Sequence, residues 1–213
     1  MRARFGLRPF VPWVLAGTLF PFLFYFKRFG PLDFWWAMAL AVVALVVSAH
    51  YSDGTYAPSI RDDARSGLLR KIVLGILSAA LLYGVFAVGN GMSRKILPFA
   101  RQGIEAVYGL RAGVSSWRAG LLLLCLIGPG EELFWRGYIQ RSWQRKMGTA
   151  ALPLTVAFYA AVHIASGNPM LVLAAAVGGL YWGILYQRSR SILLVAVSHT
   201  LWDLAVFIFF PFS

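Results

Sequence analysis

Glu131, Glu132, His163, His199 and Asp203 all fall inside long apolar stretches of a protein that has only eight acidic residues and three histidines. An ionisable group inside a bilayer costs roughly 2.5–3.5 kcal/mol on insertion scales, so each of these five is a candidate for function. Their spacing groups them. Glu132 and Arg136 stand four residues apart, as do Tyr159 and His163, and His199 and Asp203, so on a helix each pair shares one face. Gathered in one bundle, they would set carboxylates beside two imidazoles, which is the equipment for taking a proton from water and polarising a carbonyl. Each pair alone is equally a packing feature, a salt bridge or a satisfied histidine. Three such pairs on three separate apolar blocks favour a common site. A Ser or Cys nucleophile is less well supported, because Ser198 points elsewhere on its helix than His199 and Cys125 lies more than a turn before the glutamates.

The glutamates follow Gly128-Pro129-Gly130. Proline lacks a backbone N–H and its ring clashes with the preceding turn, so this tripeptide is expected to interrupt its helix. Glu131 and Glu132 would then occupy the first turn of a restarted helix, where free N–H groups and the helix dipole favour a carboxylate. Glu132 is placed to pair with Arg136, while Glu131 points about 100° away toward a different partner.

The elements that must hold these groups are membrane helices. Hydrophobic residues make up 59% of the 213 and charged residues 13%, about half the roughly 25% charge of soluble domains. That composition excludes soluble globular and disordered chains, and a single cysteine excludes an internal disulfide. A bilayer core needs about 20 apolar helical residues, fewer where the membrane thins. Seven blocks qualify: Phe10 to Phe26, Phe34 to His50, Ile72 to Asn90, Ala119 to Gln140, Ala151 to Gly167, Leu171 to Gln187 and Ile192 to Phe210. The first ends in Tyr25-Phe26-Lys27-Arg28 with no small-residue cleavage site, which reads as an uncleaved span. From Met92 to Arg118 the chain holds either an interfacial amphipathic helix or an eighth, short span. The expected fold is therefore an all-α polytopic transmembrane bundle of seven or eight spans. It forms one integral membrane domain over 1–213, with accessory helices in 1–118 and a catalytic core in 119–210.

The net charge of +12 does not point to nucleic acid, because the cations are scattered between apolar blocks. It is an orientation signal. With the N-terminus inside, twelve basic residues face the cytoplasm: Arg2, Arg4 and Arg8, four from Arg61 to Lys71, three from Arg141 to Lys146, and Arg188 and Arg190. Seven face the other side, five of them between Met92 and Arg118. Gly179 and Gly183 form a small-residue face suited to close helix packing within the chain or in a homodimer; monomer and homodimer are both compatible.

Glu131-Glu132-Leu133-Phe134-Trp135-Arg136 resembles the EExxxR motif of the CAAX-protease and bacteriocin-processing intramembrane proteases, which include the CAAX prenyl endopeptidase Rce1. Tyr159 and His163 resemble the second motif, FxxxH, and His199 to Asp203 the third, Hxxx(Asn/Asp), in the same order and covering about Ala119 to Phe210. The resemblance implies a helical fold with a cavity inside the membrane, entered from the bilayer or the cytoplasmic face. It implies that Glu131 and His163 activate a hydrolytic water, that His199 and Asp203 line the oxyanion side, and that Glu132 and Arg136 support the site. Two positions depart from the pattern. Tyr159 replaces Phe, adding a hydroxyl that needs a partner if buried. Asp203 stands where Asn is the better donor, and an ionised carboxylate only accepts hydrogen bonds, so Asp203 is assigned to orienting His199.

The expected activity is thus an intramembrane endopeptidase acting on a membrane-associated protein or peptide, in contact with the lipid bilayer and with no cofactor. Glu131, His163 and His199 could alternatively supply a zinc site, although the compact HExxH signature is absent. A non-hydrolytic alternative keeps the same scaffold, as a proton-coupled transporter or a bacteriocin-immunity or binding factor. A polytopic chain without a cleavable leader is expected in a prokaryotic plasma membrane.

Overall fold

All seven apolar blocks form helix in the computed structural model, which describes residues 9–212; Arg2, Arg4 and Arg8 lie outside that range. Val11–Phe26 forms α1, and a two-residue strand pair, β1 (Arg28–Phe29) with β2 (Leu32–Asp33), turns the chain into α2 (Phe34–Ser52). There follow α3 (Tyr56–Arg65), α4 (Leu68–Ile96), α5 (Ala100–Gly109), α6 (Ser116–Leu122), α7 (Gly128–Phe134), α8 (Arg141–Met147), α9 (Ala151–Ala161), α10 (Pro169–Ser189) and α11 (Ile192–Leu204). Side-chain caps fix several starts. Asp33 accepts from the N–H groups of Trp35 and Trp36 at 3.0 and 3.2 Å to open α2. Asn168 does the same for Met170 at 3.0 Å, with Pro169 at the first turn of α10, where no N–H is needed.

The Gly-Pro-Gly segment does not break its helix, contrary to the expectation. Residues 116–147 run as one helical rod in which two wide π turns, Leu123–Ile127 and Trp135–Gln140, flank α7. The first turn closes with the Gly128 N–H on the Leu123 carbonyl, five residues back. Pro129 follows in the opening turn of α7, so the wide turn absorbs the missing donor and the ring clash. Glu131 and Glu132 are therefore held in a continuous helix, without a free N-terminus beneath them. The same widened turn leaves Cys125 exposed on the outside.

The two glycines serve packing. A Cβ on Gly128 would come within 2.5 Å of Thr200 Oγ1 and 3.0 Å of Thr200 Cα on α11, and one on Gly130 within 2.3 Å of Val42 Cγ1 on α2. The neighbour of Gly128 includes backbone that cannot rotate away. Gly128→Ala is expected to lower stability by about 1–3 kcal/mol through overpacking, read as a lower thermal midpoint in detergent; an unchanged midpoint would contradict this contact. Gly179 and Gly183 similarly face Tyr159 and Leu152 of α9, inside the chain.

Among the described residues five helical runs are long and apolar enough to cross a membrane: Phe34–Ser52, Leu68–Ile96, Ser116–Ser166, Pro169–Ser189 and Ile192–Phe209. This number of runs does not confirm the seven or eight crossings expected, for two reasons. Helix α1 has only 16 residues, and the blocks at 119–140 and 151–167 share one run, turned back at Gly148 with φ +59°. The segment left open between an interfacial helix and an eighth span includes the end of α4 and the ten-residue α5, which is too short to cross and carries an exposed Arg101–Glu105 pair at 3.0 Å. Large apolar side chains cover the outside of the bundle, among them Leu69, Leu81 and Val88 on α4, as a lipid-facing surface requires. Helix α7 lies inside, against α2 and α11, with α10 packed on α9 and α4 on α11.

Candidate active site

Helix α7 carries Glu131 and Glu132 into the core, α9 carries Tyr159, and α11 carries His199 and Asp203; all are buried, and Glu132 is entirely so. His163 stands just past α9, where the helix end frees the Tyr159 carbonyl. The His163 imidazole meets that carbonyl through Nδ1 at 2.7 Å. A carbonyl oxygen can only accept, so Nδ1 carries the proton and Nε2 of the neutral ring is left as an acceptor. The Tyr159 hydroxyl, which the sequence required to find a partner, donates to Glu131 Oε2 at 2.9 Å. Tyr159 thus touches Glu131 with one end and His163 with the other. Among the described residues Glu131 Oε1 has no hydrogen-bond partner.

A second cluster adjoins the first. Glu132 Oε1 accepts from Arg136 Nη1 at 2.7 Å and from His199 Nδ1 at 2.6 Å. Arg136 also donates through Nη2 to the Gly179 carbonyl at 3.1 Å, and its guanidinium lies 5.2 Å from the Tyr159 ring centroid and 5.6 Å from that of Trp182. One carboxylate is therefore shared by partners from two helices, the Arg136 guanidinium and the His199 imidazole. Asp203 stands farther from the imidazole than Glu132 does. Its Oδ2 is 3.6 Å from His199 Nε2, beyond hydrogen-bond reach, and the contact that orients the imidazole comes from Glu132.

Trp182 of α10 was not anticipated. Its ring stacks on His199 with centroids 3.7 Å apart and planes 24° apart. Its Nε1–H donates to Ser198 Oγ at 3.3 Å, and Ser198 in turn donates to Ser78 of α4 at 3.0 Å. The available signal was position: Trp182 lies inside its apolar block and not at an end, where interfacial tryptophans collect.

Glu131, Tyr159, His163, His199 and Asp203 line a single cavity of about 310 Å³ whose remaining walls are largely apolar. Part of that wall comes from helices before residue 118: Phe24 of α1, Trp35 and Met38 of α2, Phe86 and Asn90 of α4. Phe24 packs on His163 with ring centroids 4.5 Å apart. Among the described residues no three His, Cys, Asp or Glu side chains form a group able to hold a metal ion, so Glu131, His163 and His199 do not stand as a ligand trio.

Comparison with curated proteins and with solved structures found no match to the chain. A family model does match, over residues 113–205, and that segment contains all three motifs from Glu131 to Asp203. Its description is type II CAAX prenyl endopeptidase Rce1-like, and over this segment the chain is similar to that family, consistent with the wider group of CAAX and bacteriocin-processing proteases.

Proposed function

We propose that the protein is an intramembrane endopeptidase that hydrolyses a peptide bond of a membrane-associated protein or peptide, using a water activated by Glu131 and His163. The observation that supports this reading most is the pairing of those two residues through Tyr159 at one wall of an otherwise apolar cavity. Hydrolysis needs a base, a second group to orient the water, and a donor for the oxyanion.

In this mechanism a water donates one hydrogen bond to His163 Nε2 and gives its other proton to Glu131. The oxygen attacks the carbonyl carbon, and the negative charge gathers on the former carbonyl oxygen. Doubly protonated His199, flanked by the carboxylates of Glu132 and Asp203 and stacked on Trp182, donates to that oxygen through Nε2. The C–N bond then breaks as Glu131 returns its proton to the leaving nitrogen. Low dielectric around the cavity strengthens each of these fixed interactions. No metal enters the scheme.

Asp203 acts here as the counter-charge to His199. Asp203→Asn and Asp203→Ala should therefore both slow cleavage on the order of tenfold or more. Full activity in the Asn variant alone would instead assign position 203 a neutral donor role.

The reading is tested by reconstituting the protein in liposomes with membrane extract from cells that lack it. New peptide termini should appear, and should persist under strong chelation. Proton-linked solute uptake without new termini would support a relay in place of a hydrolase; cleavage abolished by chelation would support a zinc-dependent one. In the same reading the protein works as an integral protein of a prokaryotic plasma membrane.

A further inference from the structure

A second cavity, also of about 310 Å³, lies at the other end of α10 and α11 from the motif residues. Its wall holds Arg141, Arg145 and Arg190, with Gln144, Tyr186 and a single carboxylate, Asp63. Both oxygens of that carboxylate are already occupied: Oδ1 pairs with Lys71 at 2.6 Å, and Oδ2 accepts the Leu193 N–H at 2.8 Å. Arg145 is neutralised by Asp53 at 2.7 Å. Burial pushes the Asp53 carboxyl upward, but hydrogen bonds from Arg145 and Thr55 outweigh it and hold the group below the usual carboxylate range, so this partner stays ionised. Arg141 and Arg190 are left in excess.

Two buried donors on residues that line the cavity lack acceptors among the described residues. Arg141 spends Nη2 on the Thr55 hydroxyl at 3.0 Å, but its buried Nη1 has no hydrogen-bond partner, and Asp53 Oδ2 lies 3.5 Å off. Gln144 accepts from Arg190 Nη1 at 2.8 Å through Oε1, while its buried Nε2 has no partner. Buried donors without acceptors are rare because they forfeit hydration with nothing in return. An oxyanion in the cavity would balance the excess charge of Arg141 and Arg190.

We propose that this cavity binds a phosphate group, held by Arg141, Gln144 and Arg190. Three candidate spans end or begin around it, at Ser52, Ser189 and Ile192, which is the depth where hydrocarbon gives way to headgroups. The phosphate is therefore supplied either by an anionic phospholipid or by free phosphate. Once bound, it ties α8, and with it the rod carrying Glu131, to the end of α10.

Thermal unfolding of the detergent-purified full chain tests this with inorganic phosphate against chloride at equal ionic strength. Retention of phosphatidylglycerol against phosphatidylcholine in nanodiscs identifies the source. Phosphate should raise the midpoint, as any ligand of the folded state does. Gln144→Glu and Arg190→Asn should each weaken binding roughly tenfold, the loss expected for one charge-assisted contact. Asn tolerates the left-handed backbone at position 190, where φ is +55°, so this variant adds no backbone strain, and its phosphate shift is read against its own midpoint in chloride. Preferential retention of phosphatidylglycerol that both variants lose assigns the site to a headgroup; a phosphate shift without lipid retention assigns it to the free anion. Equal midpoints in phosphate and chloride with no lipid preference, or binding unchanged in both variants, would overturn the proposal.

Discussion

Glu131→Gln is expected to leave a folded, membrane-inserted protein that no longer cleaves. The amide keeps the shape of the carboxylate and can still meet the Tyr159 hydroxyl, which stands 2.9 Å from Oε2. It cannot take a proton from water. Removing a positioned general base costs about 10²–10⁴ in rate, and His163→Ala should fall in the same range because it removes the Nε2 acceptor that holds the water. Glu131→Asp separates hydrolysis from proton relay. Shortening the side chain withdraws the carboxylate from the attacking geometry, so a hydrolase loses nearly all activity, whereas a relay tolerates the exchange. Cleavage measured on purified, reconstituted variants checks all three; a rate within a few-fold of the unaltered protein in Glu131→Gln or His163→Ala would remove that residue from the mechanism.

Glu132→Ala should fail differently, by losing the fold around the site. Glu132 and Arg136 are entirely buried and joined at 2.7 Å, and Glu132 is the one carboxylate that both Arg136 and His199 contact through hydrogen bonds. Removing it strands the guanidinium away from water. Breaking a buried pair by deleting one partner costs about 3–5 kcal/mol. The expected result is a lowered unfolding midpoint together with lost activity, in contrast to Glu131→Gln, whose midpoint should hold. Glu132→Gln keeps a hydrogen-bond acceptor and should recover part of the stability without restoring charge balance at His199. A Glu132→Ala protein with an unchanged midpoint would show that the pair does not support the core.

The contrast between these two glutamates was only partly readable from residue order. Scarce charges inside apolar blocks mark the candidate residues, because a membrane makes every such charge expensive, and helical spacing puts Glu132 on one face with Arg136. Spacing does not reach across helices. That Glu132 also holds His199 depends on how α7 and α11 pack, and the glycine that sets this approach, Gly128, looked like part of a break. The i, i+4 rule put His199 and Asp203 on one face but could not give their 3.6 Å separation. The π turns at Leu123–Ile127 and Trp135–Gln140 left no pattern in the sequence, since a five-residue hydrogen-bond register has no composition of its own. The apolar blocks were all helical, yet crossing depends on length and on where the chain turns back, which is why 119–140 and 151–167 came to share one run.

Glu131 as the base of a peptide-bond hydrolysis is tested most directly by mapping protein termini in the membrane and secreted fractions of cells carrying the intact protein or Glu131→Gln. At least one membrane-associated polypeptide should show a new terminus only with the intact protein, at equal levels of the two forms. The same terminus in both, or no terminus that depends on Glu131, would contradict the account.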